Sequence, residues 1–195
     1  MKKSVLITWI IMLIIPFCFA GEKEKEGMNP ALLVIDIQQA YQGYMDEADL
    51  KYGPATINWT MDLFHRYNCP VIRIYHQSAE GWPDQDSTAF QFLENIMVKE
   101  TDPKIVKHYP NGFKKTELEK SLRDHGINTV FVCGYNAVGC VLATYYGAKD
   151  LDFDAFTVKD GMISHRTRYT RSVEDFTEAV GYDAIEVMLK TVTKD

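Results

Sequence analysis

Three residues of this chain are of types that do chemistry together, and each lies at or just beyond the C-terminal end of a run that reads as a β-strand. Cys140 lies in the stretch TVFVCGYNAVGCVLATYYG, residues 129–147. Its first four residues are β-branched or aromatic, Gly134 and Asn136 break the run, and residues 141–145 can continue as helix from the cysteine. A cysteine at a helix N-terminus faces unpaired backbone N–H groups and the positive end of the helix dipole. Both favour the thiolate, which makes Cys140 a candidate nucleophile. The competing role is that of a small buried hydrophobe. Asp36 ends the apolar run 31–35, ALLVI, where a buried carboxylate needs a partner or caps the following loop. Lys107 stands at the C-terminal end of the run 104–108, KIVKH. A free thiol titrates at about 8.5 and needs help to attack at neutral pH. A carboxylate can accept its proton, and a lysine ammonium beside that carboxylate favours the thiolate and holds the base in place.

The elements that must bring these residues together alternate between strand and helix. The continuous apolar character of 31–35 marks a strand covered on both faces. Ile57, Met61 and Phe64, with Trp59 and Leu63, have helical spacing over 54–67, and Asn68-Cys69-Pro70 stops that helix. Residues 71–76, VIRIYH, read as the second strand. A loop over 78–86, rich in Gly, Pro and Asp, carries Trp82 as a local anchor or a pocket wall. The segment 90–97 is expected to form one short helix, and 104–108 the third strand. Beyond the turn at Asn111-Gly112-Phe113 an amphipathic helix is expected over 115–125, with Thr116 as N-cap and Glu119 completing a capping box. Gly126 stops it. A fifth strand over 155–158 leads to Asp160, and 169–194 reads as helix broken near Gly181, with room for a last edge strand. The fold class is therefore α/β, a mostly parallel central sheet with helices on both faces in a three-layer sandwich. Ligands in such folds bind outside the carboxyl ends of the strands, where Asp36, Lys107 and Cys140 all fall. That convergence favours the nucleophilic role of Cys140 over the structural one.

Composition narrows the rest. The chain has 195 residues, 46% apolar and 25% charged, which suits one domain with a full core and excludes a disordered or collagen-like chain. The net charge is −6, and no basic cluster outside the start suggests a nucleic-acid footprint. A small neutral or cationic ligand fits this charge better than a polyanion. Lys2 and Lys3, the apolar run 5–17 and the small residues closing at Ala20 have the pattern of a cleaved signal peptide over 1–20. The apolar run is shorter than the roughly 20 residues that span a bilayer, so export is preferred to an N-terminal membrane anchor. Residues 21–29 then form a charged tether and 30–195 the folded domain. Cleavage leaves Cys69, Cys133 and Cys140, an odd count that leaves at least one free thiol.

Three segments in order resemble the isochorismatase-like cysteine hydrolases, a superfamily that includes nicotinamidases, carbamoylsarcosine amidases and ureidoacrylate amidases. ALLVIDIQ at 31–38 is similar to the family's first strand with its Asp. IVKHYPNGFKKTEL at 105–118 is similar to its Lys strand and the helix start beyond. VFVCGYNAVGCVLAT at 130–144 is similar to its nucleophile turn. The resemblance implies an Asp36–Lys107–Cys140 triad. It also implies a cis peptide at Tyr135–Asn136, with the N–H groups of Asn136 and Cys140 forming an oxyanion hole. Two departures stand out. Gly147-Ala148 replaces the family's usual Asp-Ala pair, and Asp152 occupies the place of a Gly before the next strand. The metal motif of nicotinamidases is also absent, since only His76 falls in that region. No metal and no cofactor are expected.

These readings imply hydrolysis of the C–N bond of a small amide, ureido or carbamoyl compound through a Cys140 thioester. Two rivals share the fold: isochorismate-type vinyl-ether hydrolysis, which needs no cysteine nucleophile, and a non-catalytic exported binding protein. Tyr41, Trp82 and Phe113 flank the catalytic strand ends and are candidates for the pocket wall, with Tyr44 and Tyr109 behind them. Each can equally cover core. His108, next to Lys107 on its strand, should point to the opposite side. A small-molecule substrate is the expected partner, with no nucleic acid, and the resemblance implies a homo-oligomer.

Overall fold

Residues 27–192 are described by the computed structural model, so the expected leader and most of the expected tether lie outside them. The apolar run that opens the domain becomes β1 (Pro30–Ile35), buried along its whole length. Leu32 and Val34 enter one core, while Ala31, Leu33 and Ile35 enter the other, as the two-residue period of a strand requires. There follow α1 (Glu47–Arg66), β2 (Val71–His76), β3 (Lys104–Lys107), α2 (Leu118–Asp124) and β4 (Thr129–Tyr135). The chain then continues through α3 (Leu142–Asp150), β5 (Asp154–Ile163), α4 (Thr167–Phe176), β6 (Ala179–Val180) and α5 (Tyr182–Lys190). The strands form one six-stranded sheet in the order β3-β2-β1-β4-β5-β6, and every ladder is parallel. Ile57, Met61 and Phe64 of α1 pack with Ile185 and Leu189 of α5 on one face. Leu118 and Leu122 of α2, Tyr145 and Ala148 of α3 and Val173 of α4 cover the other.

Strand order is what positions the site. The chain runs outward from β1 through β2 to β3, returns to the centre at β4, and runs outward the other way. The reversal lies between β1 and β4, and in such sheets ligands bind outside the carboxyl ends of the strands at that point. The two strands approach closely at that point. Gly134, at φ +108, pairs with Ile35, and a Cβ built on it would lie 2.1 Å from the Ile35 carbonyl oxygen. Only glycine fits there.

Several local expectations are corrected. α1 begins at Glu47, one turn and more before Pro54, because Asp46 caps it by accepting from the Ala48 N–H. No helix spans 90–97. A short 3₁₀ turn over Thr88–Phe90 leads instead into a loop bonded to the chain beyond β1, with Gln39 N–H donating to Gln91 and Leu93 N–H to Ile37. Phe90 and Phe92 both stack on Tyr75, with ring centroids 5.0 and 4.3 Å away, so packing on β2 rather than a helix holds this segment. α2 begins at Leu118, not 115. The Thr116 hydroxyl accepts from Leu118 N–H and donates to the Gly112 carbonyl, and Glu119 does not complete a capping box but lies near Arg123. β5 continues to Ile163, past Asp160, where a register shift is accommodated with Asp160 at φ +59.

Candidate active site

Asp36 is the first residue beyond β1. It adopts φ +49, and its N–H donates to the Ile74 carbonyl, so the chain turns while still tied to β2. Lys107, the last residue of β3, is fully buried and reaches across the end of β2. Its Nζ donates to Asp36 Oδ2 at 2.6 Å. Asp36 Oδ1 is buried and has no hydrogen-bond partner among the described residues. The neighbour able to supply one is the Cys140 thiol, which is coupled to both the Asp36 carboxylate and the Lys107 ammonium. The three expected residues are thus brought together from the ends of three strands.

Cys140 sits in a wide π-type turn, Ala137–Val141, that runs into α3. Asn136 organises the turn. Its carbonyl accepts from the Gly139 and Val141 N–H groups and its side-chain oxygen from the Val138 N–H. The Tyr135–Asn136 peptide is cis, and the Asn136 N–H makes no hydrogen bond among the described residues. The α3 side of the turn is pinned by Thr144, whose hydroxyl donates to the Cys140 carbonyl and accepts from the Gly112 N–H. Gly147 leaves room for Asn111, whose side chain fills the space a Cβ would take. Asn111 therefore occupies the volume that the departure from Asp-Ala leaves open.

Burial works against the thiolate that a helix N-terminus favours. Burial pushes the Cys140 thiol up to about 12, the Asp36 charge adds to this, and the Lys107 ammonium only partly opposes it. Burial likewise raises the Asp36 carboxyl above its ordinary range, against the pull of Lys107. Burial thus favours the protonated form of both groups, and Lys107 pulls both toward the charged form.

The expected wall residues separate. Tyr41 is half-buried beside the triad, and its phenol is raised by burial and then by the Asp36 and Cys140 charges. Trp82 meets the Tyr41 ring edge-on at 5.7 Å, and Tyr135 stacks against it at 6.1 Å. Phe113 instead enters the core, stacked on Phe153 at 5.7 Å. His108 turns away, its Nδ1 against the Gln77 carbonyl. Two residues not picked out from sequence join the site. Tyr135 belongs to the strand that carries the nucleophile turn, and its place before Asn136 was the available signal. His76 puts Nδ1 3.4 Å from Lys107 Nζ, and its backbone is clasped by the fully buried Gln38 side chain. Burial and the Lys107 charge lower the His76 imidazole to about 4. Cys69 and Cys133 are not bridged. Among the described residues, no group of three or more His, Cys, Asp or Glu side chains is placed to hold a metal ion.

Comparison with known proteins agrees with this architecture. The isochorismatase domain model matches residues 30–181. An isochorismatase family protein of Bacillus subtilis is 29% identical over 139 residues, 68% of this chain and 77% of that protein. A secreted isochorismatase effector of Verticillium dahliae is 23% identical over 137 residues, covering 69% of this chain and 72% of its own. The crystal structure of an N-carbamoylsarcosine amidase from Thermoplasma acidophilum superposes with a TM-score of 0.67 at 21% identity, over 79% of this chain and 95% of that one. At that identity the likeness is one of fold.

Proposed function

The chain belongs to the isochorismatase family, and on that premise we propose that it is a cysteine hydrolase of small amide, ureido or carbamoyl compounds. The observation that carries this reading is the buried Asp36–Lys107 pair with the Cys140 thiol coupled to both of its members. Asp36 takes the thiol proton as Cys140 Sγ attacks the substrate carbonyl carbon. A general base beside the thiol replaces a standing thiolate, and the raised basicity of Asp36 suits that transfer. The tetrahedral oxyanion is met by the backbone N–H groups of Asn136 and Cys140. Asp36 returns the proton to the leaving nitrogen, the C–N bond breaks, and a Cys140 thioester remains. Water, deprotonated by Asp36, then hydrolyses the thioester and restores the thiol. Lys107 keeps the Asp36 carboxylate oriented throughout. Tyr41, with Trp82 and Tyr135 against it, walls the substrate pocket.

Cys140→Ala is expected to abolish hydrolysis across a panel of small primary amides and carbamoyl compounds, with an unchanged melting temperature. Full activity in that variant would end the nucleophile assignment. A second reading, a non-catalytic binding protein of the same fold, draws on the high resting value of the Cys140 thiol. It predicts no turnover of any panel member by the unaltered protein. Hydrolysis of isochorismate that survives Cys140→Ala, without amide turnover, would point to the vinyl-ether reaction. We also propose export, supported by the leader-like pattern of 1–20 and by the secreted nature of the Verticillium dahliae relative.

A further inference from the structure

His76 is the polar residue nearest the triad for which the reaction as written has no use. Its main chain is fixed on both sides by one buried side chain, since Gln38 Oε1 accepts from the His76 N–H at 2.7 Å and Gln38 Nε2 donates to the His76 carbonyl at 3.2 Å. Gln38 is itself fully buried. The imidazole is thus delivered to a set place, between the Tyr41 ring, 6.3 Å away between centroids, and Lys107. An ammonium has three donors and no acceptor. One Lys107 N–H serves Asp36 Oδ2 at 2.6 Å, and another faces His76 Nδ1 at 3.4 Å. Nδ1 must therefore be the acceptor, which places the ring proton on Nε2. Among the described residues Nε2 has no hydrogen-bond partner, so that N–H is a donor still to be used.

We propose that His76 is the positioning residue of Lys107. It is held as the neutral Nε2–H tautomer, so that Nδ1 orients the ammonium between Asp36 and Cys140 and Nε2–H is offered to an acceptor oxygen of the bound molecule. This rests on the hydrolase reading of the same site. The chemistry is that of a ligand oriented by its outer partner, where the outer residue touches no reacting atom but fixes the group that does. Loss of the Nδ1 acceptor frees the ammonium to rotate away from Cys140, and the thiol loses the one charge that lowers it.

The test reads the thiol and the ring directly, without a known substrate. The second-order rate of Cys140 alkylation by iodoacetamide, a small amide with a carbonyl acceptor, is measured at pH 8 for the unaltered protein, His76→Leu and His76→Gln. Leucine fills the space without accepting or donating, and should slow alkylation roughly tenfold, as loss of a hydrogen bond to a charged group implies. Glutamine can accept through its oxygen and donate through its nitrogen, and should restore the rate to within about threefold. Equal rates in all three proteins would overturn the proposal. Long-range ¹H–¹⁵N correlation spectra at pH 7, with His76 assigned by its loss in His76→Gln, should place the proton on Nε2. A proton on Nδ1, or on both nitrogens, would overturn it too. These readouts do not depend on turnover, so they stay decisive even where Cys140→Ala shows that the hydrolase reading fails. If His76→Leu does not fold, the spectra, with His76 assigned through His76→Gln, still decide.

Discussion

At the scale of single residues, the site is governed by how burial and charge divide one proton. The helix that follows Cys140 and the Lys107 ammonium both favour the thiolate. In the folded chain, burial of the thiol and the Asp36 charge beside it push the other way, and Lys107 only partly opposes them. Alkylation of Cys140 by iodoacetamide should therefore keep climbing between pH 7 and 9, by roughly tenfold per pH unit, because only the small thiolate fraction reacts. A plateau below pH 8 would mean a resting thiolate and would remove the need for Asp36 as base. The Asp36–Lys107 pair makes a second prediction. Lys107→Met leaves a buried carboxyl without its cation and should cost roughly 3–5 kcal/mol in chemical denaturation. The sign of its pH dependence follows from burial. With Lys107 gone, only the Cys140 thiol opposes the upward shift caused by burial, so the folded-state value of Asp36 exceeds its unfolded one. Folding then favours the protonated acid, and the deficit is small near about pH 4 and grows toward pH 7. A deficit that is constant over this range would place the charge elsewhere.

At the scale of elements, the strands were legible and the turns were less so. Apolar runs bounded by Gly, Pro and Asn gave β1, β2 and β4 to within a few residues, since a strand buried on both faces has no other sequence pattern to adopt. The places of Asp36 and Lys107 followed from the ends of β1 and β3, and that of Cys140 from the Gly-Asn turn beyond β4. What was not legible depended on distant partners. Nothing local to 90–97 announces that its aromatics stack on Tyr75, and the Asp46 cap looked like loop because Pro54 resembled a helix start. His76 read as a lone histidine, since its meeting with Lys107 requires the β2–β3 pairing that sets the two side by side. The departure at Asp152 has a clear local consequence. Asp152 closes the turn after α3 at φ +59, with an exposed side chain, in the region where glycine carries no steric penalty. Asp152→Gly should therefore raise stability by about 0.5–1 kcal/mol in chemical denaturation, with no change in Cys140 reactivity. A loss of stability would mean that the aspartate side chain contributes more than its backbone conformation costs.

At the scale of the whole molecule, one strand reversal gathers the three motifs. In the proposed reaction the first supplies the base, the second the cation and the third the nucleophile, and only the order β3-β2-β1-β4 sets their ends beside one another. The isochorismatase domain match begins at residue 30, and the task proposed for residues 1–20 is export. If that task is export, their removal takes away Lys2 and Lys3 and no acidic residue, so the net charge changes from −6 to −6 − 2 = −8. Intact-mass measurement of the protein produced in a host that secretes it should give a single species beginning at Gly21. That species should be recovered from the exported fraction and carry the two additional units of negative charge on isoelectric focusing. A membrane-bound species that keeps Met1 would instead make the segment an anchor. The hydrolase domain would be unaltered in that case, but it would act at a membrane surface, and its substrate would have to reach it there.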